Sequence, residues 1–323
     1  LSLAQHNHAD VFKMFSPASH DLRWKTAVVS PTDSNNFNSF ERLGYLTSIL
    51  PYIEQNALYN QIAPYAILGG RPWNNDDRTN SSTGAVVKSP YLTRISAFQC
   101  PSDRLALNPD DVAPTSYAAN RGDIYLNSGD WEWRGVFSNG ERGRADFGTI
   151  KDGTSNTIML SEFVIGRTNG VSGQDSILEG TARDRIGPVG GLSTKGPNGT
   201  LVAPSLQNSW GNTGWGKGRR WGDSLNAFSG FFTILPPNGP TCSNDNAESN
   251  AMPTASSRHT GGVNSAFCDG SVHFISQSID TGDLTITFPQ PPDNTRTYSG
   301  PSLWGVWGAL GSMNGKESTQ LPD

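Results

Sequence analysis

Residues 258–275 read RHTGGVNSAFCDGSVHFI and contain two alternating runs of apolar and polar residues on either side of Asp269-Gly270. An Asp-Gly pair between alternating runs is the strongest short signal for a β-hairpin, because a type I′ turn requires positive φ at both turn residues. Glycine accepts this conformation freely, and aspartate tolerates it better than most residues. The stretch therefore predicts an antiparallel pair of strands over residues 263–267 and 272–275.

His259 raises a choice between a catalytic partnership with Asp269 and a structural role. His259 precedes the first predicted strand and Asp269 follows it, so one strand of about five or six residues, at ~3.3 Å each, separates them. That separation keeps the two side chains out of hydrogen-bond reach. We therefore expect Asp269 and Gly270 to form the turn, and His259 to hold the start of the hairpin through hydrogen bonds to loop backbone.

One face of the predicted hairpin is expected to lie in the protein core. β-Branched and aromatic residues form that face: Val263, Phe267, Val272 and Phe274. Apolar residues near residue 1 recur at the three- and four-residue spacing of an amphipathic helix. We expect the hairpin to pack on the part of that helix formed by Val11, Phe12 and Phe15.

The composition favours β structure with long loops over a helix bundle. Only 35% of the 323 residues are hydrophobic, but 9 Trp, 14 Phe and 8 Tyr supply the bulk for a sizeable core. With 36 Gly and 21 Pro, the chain is rich in turns. The net charge of -5 and the lack of a basic tract exclude a typical nucleic-acid-binding protein. No apolar run reaches the roughly 18 residues that a membrane span requires.

Motifs that would assemble a nucleophile with its base, or cradle a phosphate, are missing from the sequence. We therefore expect that the protein is not an enzyme and has no catalytic residue and no bound cofactor. The sequence does not decide which residues, if any, bind a metal ion. Calcium is the one ion that oxygen-rich turns suggest, although their spacing is not that of an EF-hand and solvated turns are the alternative. Those turns are Asn74-Asn75-Asp76-Asp77, Asp110-Asp111 and Asn244-Asp245-Asn246.

Several blocks of the chain are similar, in order, to those of one bacterial family. The blocks are LSLAQHNHADVFKMFSP (1–17), LPYIEQNALYN (50–60), AFQCPSD (97–103), TSYAANRGD (115–123), IKDGTSNTIMLSE (150–162), FFTILPPNGPTC (231–242) and SRHTGGVNSAFCDGSVHFIS (257–276). The chain thus resembles the DUF1559 family, which has a prepilin-type N terminus and a C-terminal motif of His, nine residues and Asp-Gly. The matched motif positions, expected to be structural, are Cys100, Pro101, Asp103, Asp152, Gly153, His259, Asp269 and Gly270.

The resemblance implies a pilin-like α+β fold, with an N-terminal helix packed on an antiparallel sheet and a β- and loop-rich elaboration. Residues 1–16 would be the C-terminal part of the pilin-like helix, and residues 17–323 a globular head. Within the head, 168–223 is a Gly-, Asn- and Trp-rich insertion and 258–275 is the hairpin. The apolar helix that the family carries upstream, cut from its leader by a prepilin peptidase, is absent here.

The function implied by the resemblance is that of a non-catalytic subunit of a pilin-like filament or secretion pseudopilus. The expected partners are copies of the chain or other pilin-like subunits, and the expected location is exported, at the cell surface, in the periplasm or outside the cell. The alternative is a cell-surface module that binds glycans through exposed tryptophans. The candidates for that surface are Trp210, Trp215 and Trp221, which would otherwise form a small core beneath the loop.

A disulfide between Cys242 and Cys268 is expected, because both lie in matched family blocks and an exported protein meets an oxidising compartment. Cys100 would then be the odd cysteine, paired with a family cysteine upstream of Leu1.

Overall fold

A computed structural model describes residues 1–20, 42–103, 111–124, 134–137, 145–166, 181–183, 217–239, 241–243, 251–284 and 300–317. The α-helices are α1 (Ser2–Phe12), α2 (Tyr45–Ile49), α3 (Asn56–Ile67), α4 (Asn226–Ser229) and α5 (Gly305–Gly311). The 3₁₀ helices are Leu50–Ile53, Pro90–Leu92 and Ser96–Phe98. The strands are β1 (Ser19–His20), β2 (Leu43–Gly44), β3 (Arg78–Thr79), β4 (Val86–Val87), β5 (Tyr117–Asn120), β6 (Ile158–Glu162), β7 (Thr181–Arg183), β8 (Gly230–Phe231), β9 (Thr241–Ser243), β10 (Ala251–Met252), β11 (Gly262–Phe267) and β12 (Val272–Ser276).

The α+β class is confirmed, and the central element is a five-stranded sheet in the order β12-β11-β6-β5-β8. Its pairs are antiparallel except for the short β8, which joins β5 in parallel. A separate three-stranded sheet has the order β10-β9-β7. None of the helices among the described residues combines the length and apolarity needed to cross a membrane.

The predicted hairpin is present as β11 and β12, paired from Gly262↔Ser276 to Ala266↔Val272. Its turn differs from the predicted type I′. Phe267 N–H donates to Ser271 O, which leaves a three-residue loop, and only Gly270 has positive φ, at 93°. This is the pattern of a type I turn closed by a glycine bulge. The Asp269 carboxylate instead accepts from Ser271 N, 2.9 Å away, and stabilises the loop from within.

The prediction for the core face is right for β11 and wrong for β12. Val263 and Phe267 are buried, but Val272 is 61% and Phe274 52% exposed. The three-residue loop shifts the pairing by one residue from that of the predicted two-residue turn, so Val272 and Phe274 lie opposite Ala266 and Asn264. The residue of β12 that joins Val263 and Phe267 in the buried cluster is instead Ile275, because a one-residue shift exchanges the two faces of a strand.

The expected packing of this face on the N-terminal helix is also wrong, because α5 covers the face instead. Val263 and Phe267 pack in one hydrophobic cluster with Trp307 and Leu310 of α5. Residues of α1 belong to a different cluster, which includes Cys268. Within α1 the predicted apolar face also shifts, since Val11 is 61% exposed.

Asp152 and Gly153 form a turn that fixes the chain after α5. The two carboxylate oxygens of Asp152 accept from Gly315 N at 2.6 Å and from Lys316 N at 2.7 Å. Gly153 has φ of 94°, a conformation that side chains resist, so glycine is required there. The structural role expected for these two residues is therefore a clamp on the segment that covers the central sheet.

Trp221 is fully buried, so it does not belong to the exposed surface on which at least two of the three tryptophans were expected. Its ring lies between Tyr91 and Phe98, with ring centroids 5.5 and 5.6 Å away. At the adjacent Gly222 a Cβ atom would meet the ring of Tyr91, so glycine lets this ring approach the chain closely. Trp210 and Trp215 lie outside the described residues.

The predicted disulfide is wrong, because Cys268 is a free thiol, as is Cys100. Cys268 is buried in the loop of the hairpin, whereas Cys242 belongs to β9 in the separate three-stranded sheet. Burial raises the pKa of the Cys268 thiol well above its usual range, with a further contribution from Asp269. The thiol thus serves as a small core residue.

We predict that Gly270→Val destabilises the protein by more than about 1 kcal/mol, because a β-branched residue resists positive φ. Urea unfolding monitored by tryptophan fluorescence measures the change. Gly270→Asn is the control, since asparagine tolerates this conformation and should cost less. Equal stability of the valine variant and the wild type would contradict the assigned turn.

Candidate functional site

Cys100, Glu162 and His259 converge at one end of the central sheet. Cys100 follows the 3₁₀ helix Ser96–Phe98 and begins a turn, which Asp103 N closes by donating to Cys100 O at 2.9 Å. Glu162 ends β6, and His259 lies in the loop before β11. One ligand atom from each residue lies within 4.8 Å of the other two.

The Glu162 carboxylate is the centre of this cluster. Oε1 accepts from His259 Nε2 at 2.9 Å and lies 3.8 Å from Cys100 Sγ. Oε2 accepts from the backbone N of Asn264 at 2.7 Å and from its Nδ2 at 3.2 Å. Its side chain is only 6% exposed, so these donors replace the water that the charge has lost.

His259 acts differently from the prediction. Its backbone N donates to Ser257 Oγ, but its ring bonds the buried carboxylate rather than loop backbone. The same atom, Nε2, also lies 3.9 Å from Cys100 Sγ. Asp269 is at the other end of β11, so the predicted separation of His259 from Asp269 agrees with the hairpin.

An ion pair between Arg258 and Asp103 holds the neighbouring residues in place. Arg258 Nε donates to Asp103 Oδ1 at 3.0 Å, and Asp103 Oδ2 accepts from Ile165 N at 2.8 Å and Ser116 Oγ at 3.2 Å. Pro101 lies in the turn that joins Cys100 to Asp103. The turn and the loop before β11 are therefore joined twice, through Arg258 and through His259.

A groove of about 420 Å³ lies beside the cluster, between α1 and the central sheet. Its lining includes Glu162 and Asn264 from the cluster, Tyr117 from β5, Leu3 from α1 and Val272 from β12. Burial raises the pKa of the Tyr117 phenol to about 12, and the neighbouring Cys100 and Glu162 add to the shift. At neutral pH the phenol therefore remains protonated beside the groove.

A family model matches residues 1–282 and thus most of the chain. Its description is a protein of unknown function, DUF1559 (SBP_bac_10). The chain belongs to the DUF1559 family. No curated protein and no solved structure matches it.

The matched DUF1559 region contains both hydrogen-bonding systems of the site. His259 of the His-to-Asp-Gly motif bonds the last residue of β6, and Arg258 beside it bonds the Cys-Pro-Ser-Asp turn. Sequence reasoning missed Glu162. The available signal was an acidic residue at the end of an apolar strand, since glutamate is rarely buried unless it is paired.

The predicted calcium turns do not converge where they are described. Asp76 pairs with Arg78, Asp77 Oδ1 accepts from Ser89 N, and Asp111 pairs with Arg219. Asp110 and residues 244–246 lie outside the described residues. Each of the described carboxylates thus has its own local structural role.

We predict that Glu162→Gln and His259→Ala are coupled in a double-mutant cycle by about 1–3 kcal/mol, because the two variants alter opposite ends of the same buried hydrogen bond. Urea unfolding of the two single variants and the double variant gives the coupling energy. His273→Ala is the control; this exposed histidine bonds Ser271 and lies edge-on to Phe267 within the hairpin, so it should show no coupling to Glu162→Gln. Additive single effects would refute the pairing.

Proposed function

We propose that the chain is a non-catalytic structural subunit of a pilin-like assembly, exported and joined to copies of itself. The family resemblance suggests this role, since it implies an apolar N-terminal helix upstream and a globular head. In such an assembly, a segment of a second copy would bind in the groove between α1 and the central sheet.

The observation that supports the proposal is a set of exposed apolar side chains around that groove. Leu3 on α1 is 73% exposed and Val272 on β12 is 61% exposed, and both line the groove. Phe274, two positions along β12, adds a half-exposed ring. Single exposed apolar residues are ordinary, but a group at one groove is typical of a contact surface.

The edge strand β12 also favours binding of a second copy at this groove. β12 pairs on one side only, with β11, among the described strands. An edge strand presents backbone donors and acceptors that a strand from another chain can join. In this arrangement the second copy would bury Val272 and satisfy the backbone of β12.

The glycan-binding alternative has less support. It depended on exposed tryptophans, and Trp221 is buried in the core. Trp304 and Trp307, from the segment that covers the central sheet, are buried as well. Trp73 is half-buried, and the guanidinium of Arg42 lies over its ring, 4.0 Å from the centroid, so no described indole presents an open face to a sugar ring.

We predict that the double variant Leu3→Lys/Val272→Lys weakens self-association by about tenfold or more, because it places two charges in the buried contact. Sedimentation velocity over a concentration series measures the association. The matched control is Val11→Lys/Val86→Lys, which changes one exposed valine of α1 and one of β4, 61% and 59% exposed. A wild-type chain that stays monomeric at every concentration, or equal effects of both double variants, would contradict the proposal.

A further inference from the structure

The Cys100, Glu162 and His259 cluster brings together three different kinds of metal ligand. A thiol, an imidazole and a carboxylate meet with Sγ–Oε1, Sγ–Nε2 and Nε2–Oε1 distances of 3.8, 3.9 and 2.9 Å. From this convergence we infer that the three residues bind a divalent transition-metal ion of the zinc type. The inference is independent of the assembly role.

The distances fit such an ion with little movement. Zinc lies about 2.3 Å from a thiolate and about 2.0–2.2 Å from imidazole nitrogen or carboxylate oxygen. Tetrahedral angles then separate the ligand atoms by roughly 3.3–3.6 Å. Each of the three distances is within about 0.6 Å of that range, so small side-chain rotations would complete the geometry.

The arrangement differs from that of a nucleophilic cysteine. In a catalytic triad the histidine uses one ring nitrogen for the nucleophile and the other for the carboxylate that orients it. Here Nε2 lies close to both the sulfur and the carboxylate oxygen. The thiol and carboxylate thus compete for one nitrogen, an arrangement suited to a shared cation rather than to relay of a proton.

The donor set selects the class of ion. Thiolate and imidazole favour zinc and its borderline neighbours, whereas calcium and magnesium prefer oxygen ligands alone. Three protein ligands leave a fourth position, which suits water or a group from the groove that Glu162 also lines. His259, with 34% of its side chain exposed, gives the ion a route to the cluster.

The surroundings of Glu162 already orient it for this role. Asn264 holds Oε2 through two hydrogen bonds, so Oε1 is the oxygen that points to Cys100 and His259. Outer hydrogen bonds of this kind fix metal ligands in place. Among the described residues, Cys268 is also a buried cysteine, but it does not belong to the cluster of possible metal ligands. It therefore provides a matched control for substitution of Cys100.

The test uses the tag-free chain, stripped with a chelator and then loaded with Zn²⁺ or Co²⁺. After desalting, we expect about one metal ion per chain, the stoichiometry of a single site with three protein ligands. The cobalt protein should show thiolate-to-cobalt charge-transfer absorption in the near ultraviolet. Cys100→Ser should abolish that band, and Cys268→Ala should keep it.

Affinity measured by competition with a chromophoric chelator locates the other ligands. Glu162→Gln and His259→Ala should weaken Zn²⁺ binding by about 100-fold or more, beyond the range typical of losing an outer-shell partner. His273→Ala should leave the affinity unchanged. Circular dichroism of each stripped variant shows whether it is folded; if Glu162→Gln unfolds, the cobalt spectrum of Cys100→Ser carries the test.

Two results would overturn the inference. One is failure of the folded wild-type chain to retain Zn²⁺, and the other is retention that Cys100→Ser leaves unchanged. Rapid alkylation of Cys100 at neutral pH that requires His259, together with no metal retention, would instead assign the cluster as a nucleophilic site.

Discussion

The buried carboxylate of Glu162 is the constraint on which the described fold depends. It lies at the end of the central strand β6, and its partners are far away in the sequence: 62 positions to Cys100, 97 to His259 and 102 to Asn264. A carboxylate removed from water is stable only when donors surround it. The charge therefore fixes β6 against β11, and with them the loop before β11 and the turn at Cys100.

The two faces of β11 have different roles: one packs in the apolar core and the other lines the groove. One face places Val263 and Phe267 against Trp307 and Leu310 in a dry cluster. The opposite face carries Asn264 and Ala266 into the groove beside α1. Because side chains alternate along a strand, a one-residue slip would exchange these faces and remove Asn264 from Glu162. The hydrogen bonds of Asn264 and the apolar cluster thus select the same register.

The sequence predicted local structure better than it predicted what covers that structure. The hairpin follows from the alternation of residues 263–275 and from the Asp269-Gly270 pair. The exposure of Val272 follows from the length of the hairpin turn, which sets the register, whereas the burial of Trp221 and the free thiol of Cys268 depend on which distant segments meet. His259 was identified from its motif, but its partner was not, because no spacing relates a loop histidine to the end of a strand 97 positions earlier. Such contacts are tertiary and leave little trace in propensity.

The two oxygens of Glu162 have separable roles, and this separation makes the site compatible with a stable fold. Oε2 is held by Asn264 and links β6 to β11. Oε1 lies against the ring nitrogen and the thiol, whose protons a cation would replace. Exchange of those protons for an ion would leave both bonds from Asn264 intact. The strand register can therefore be the same with and without the ion. The fold already holds the three ligand atoms close together before any ion binds.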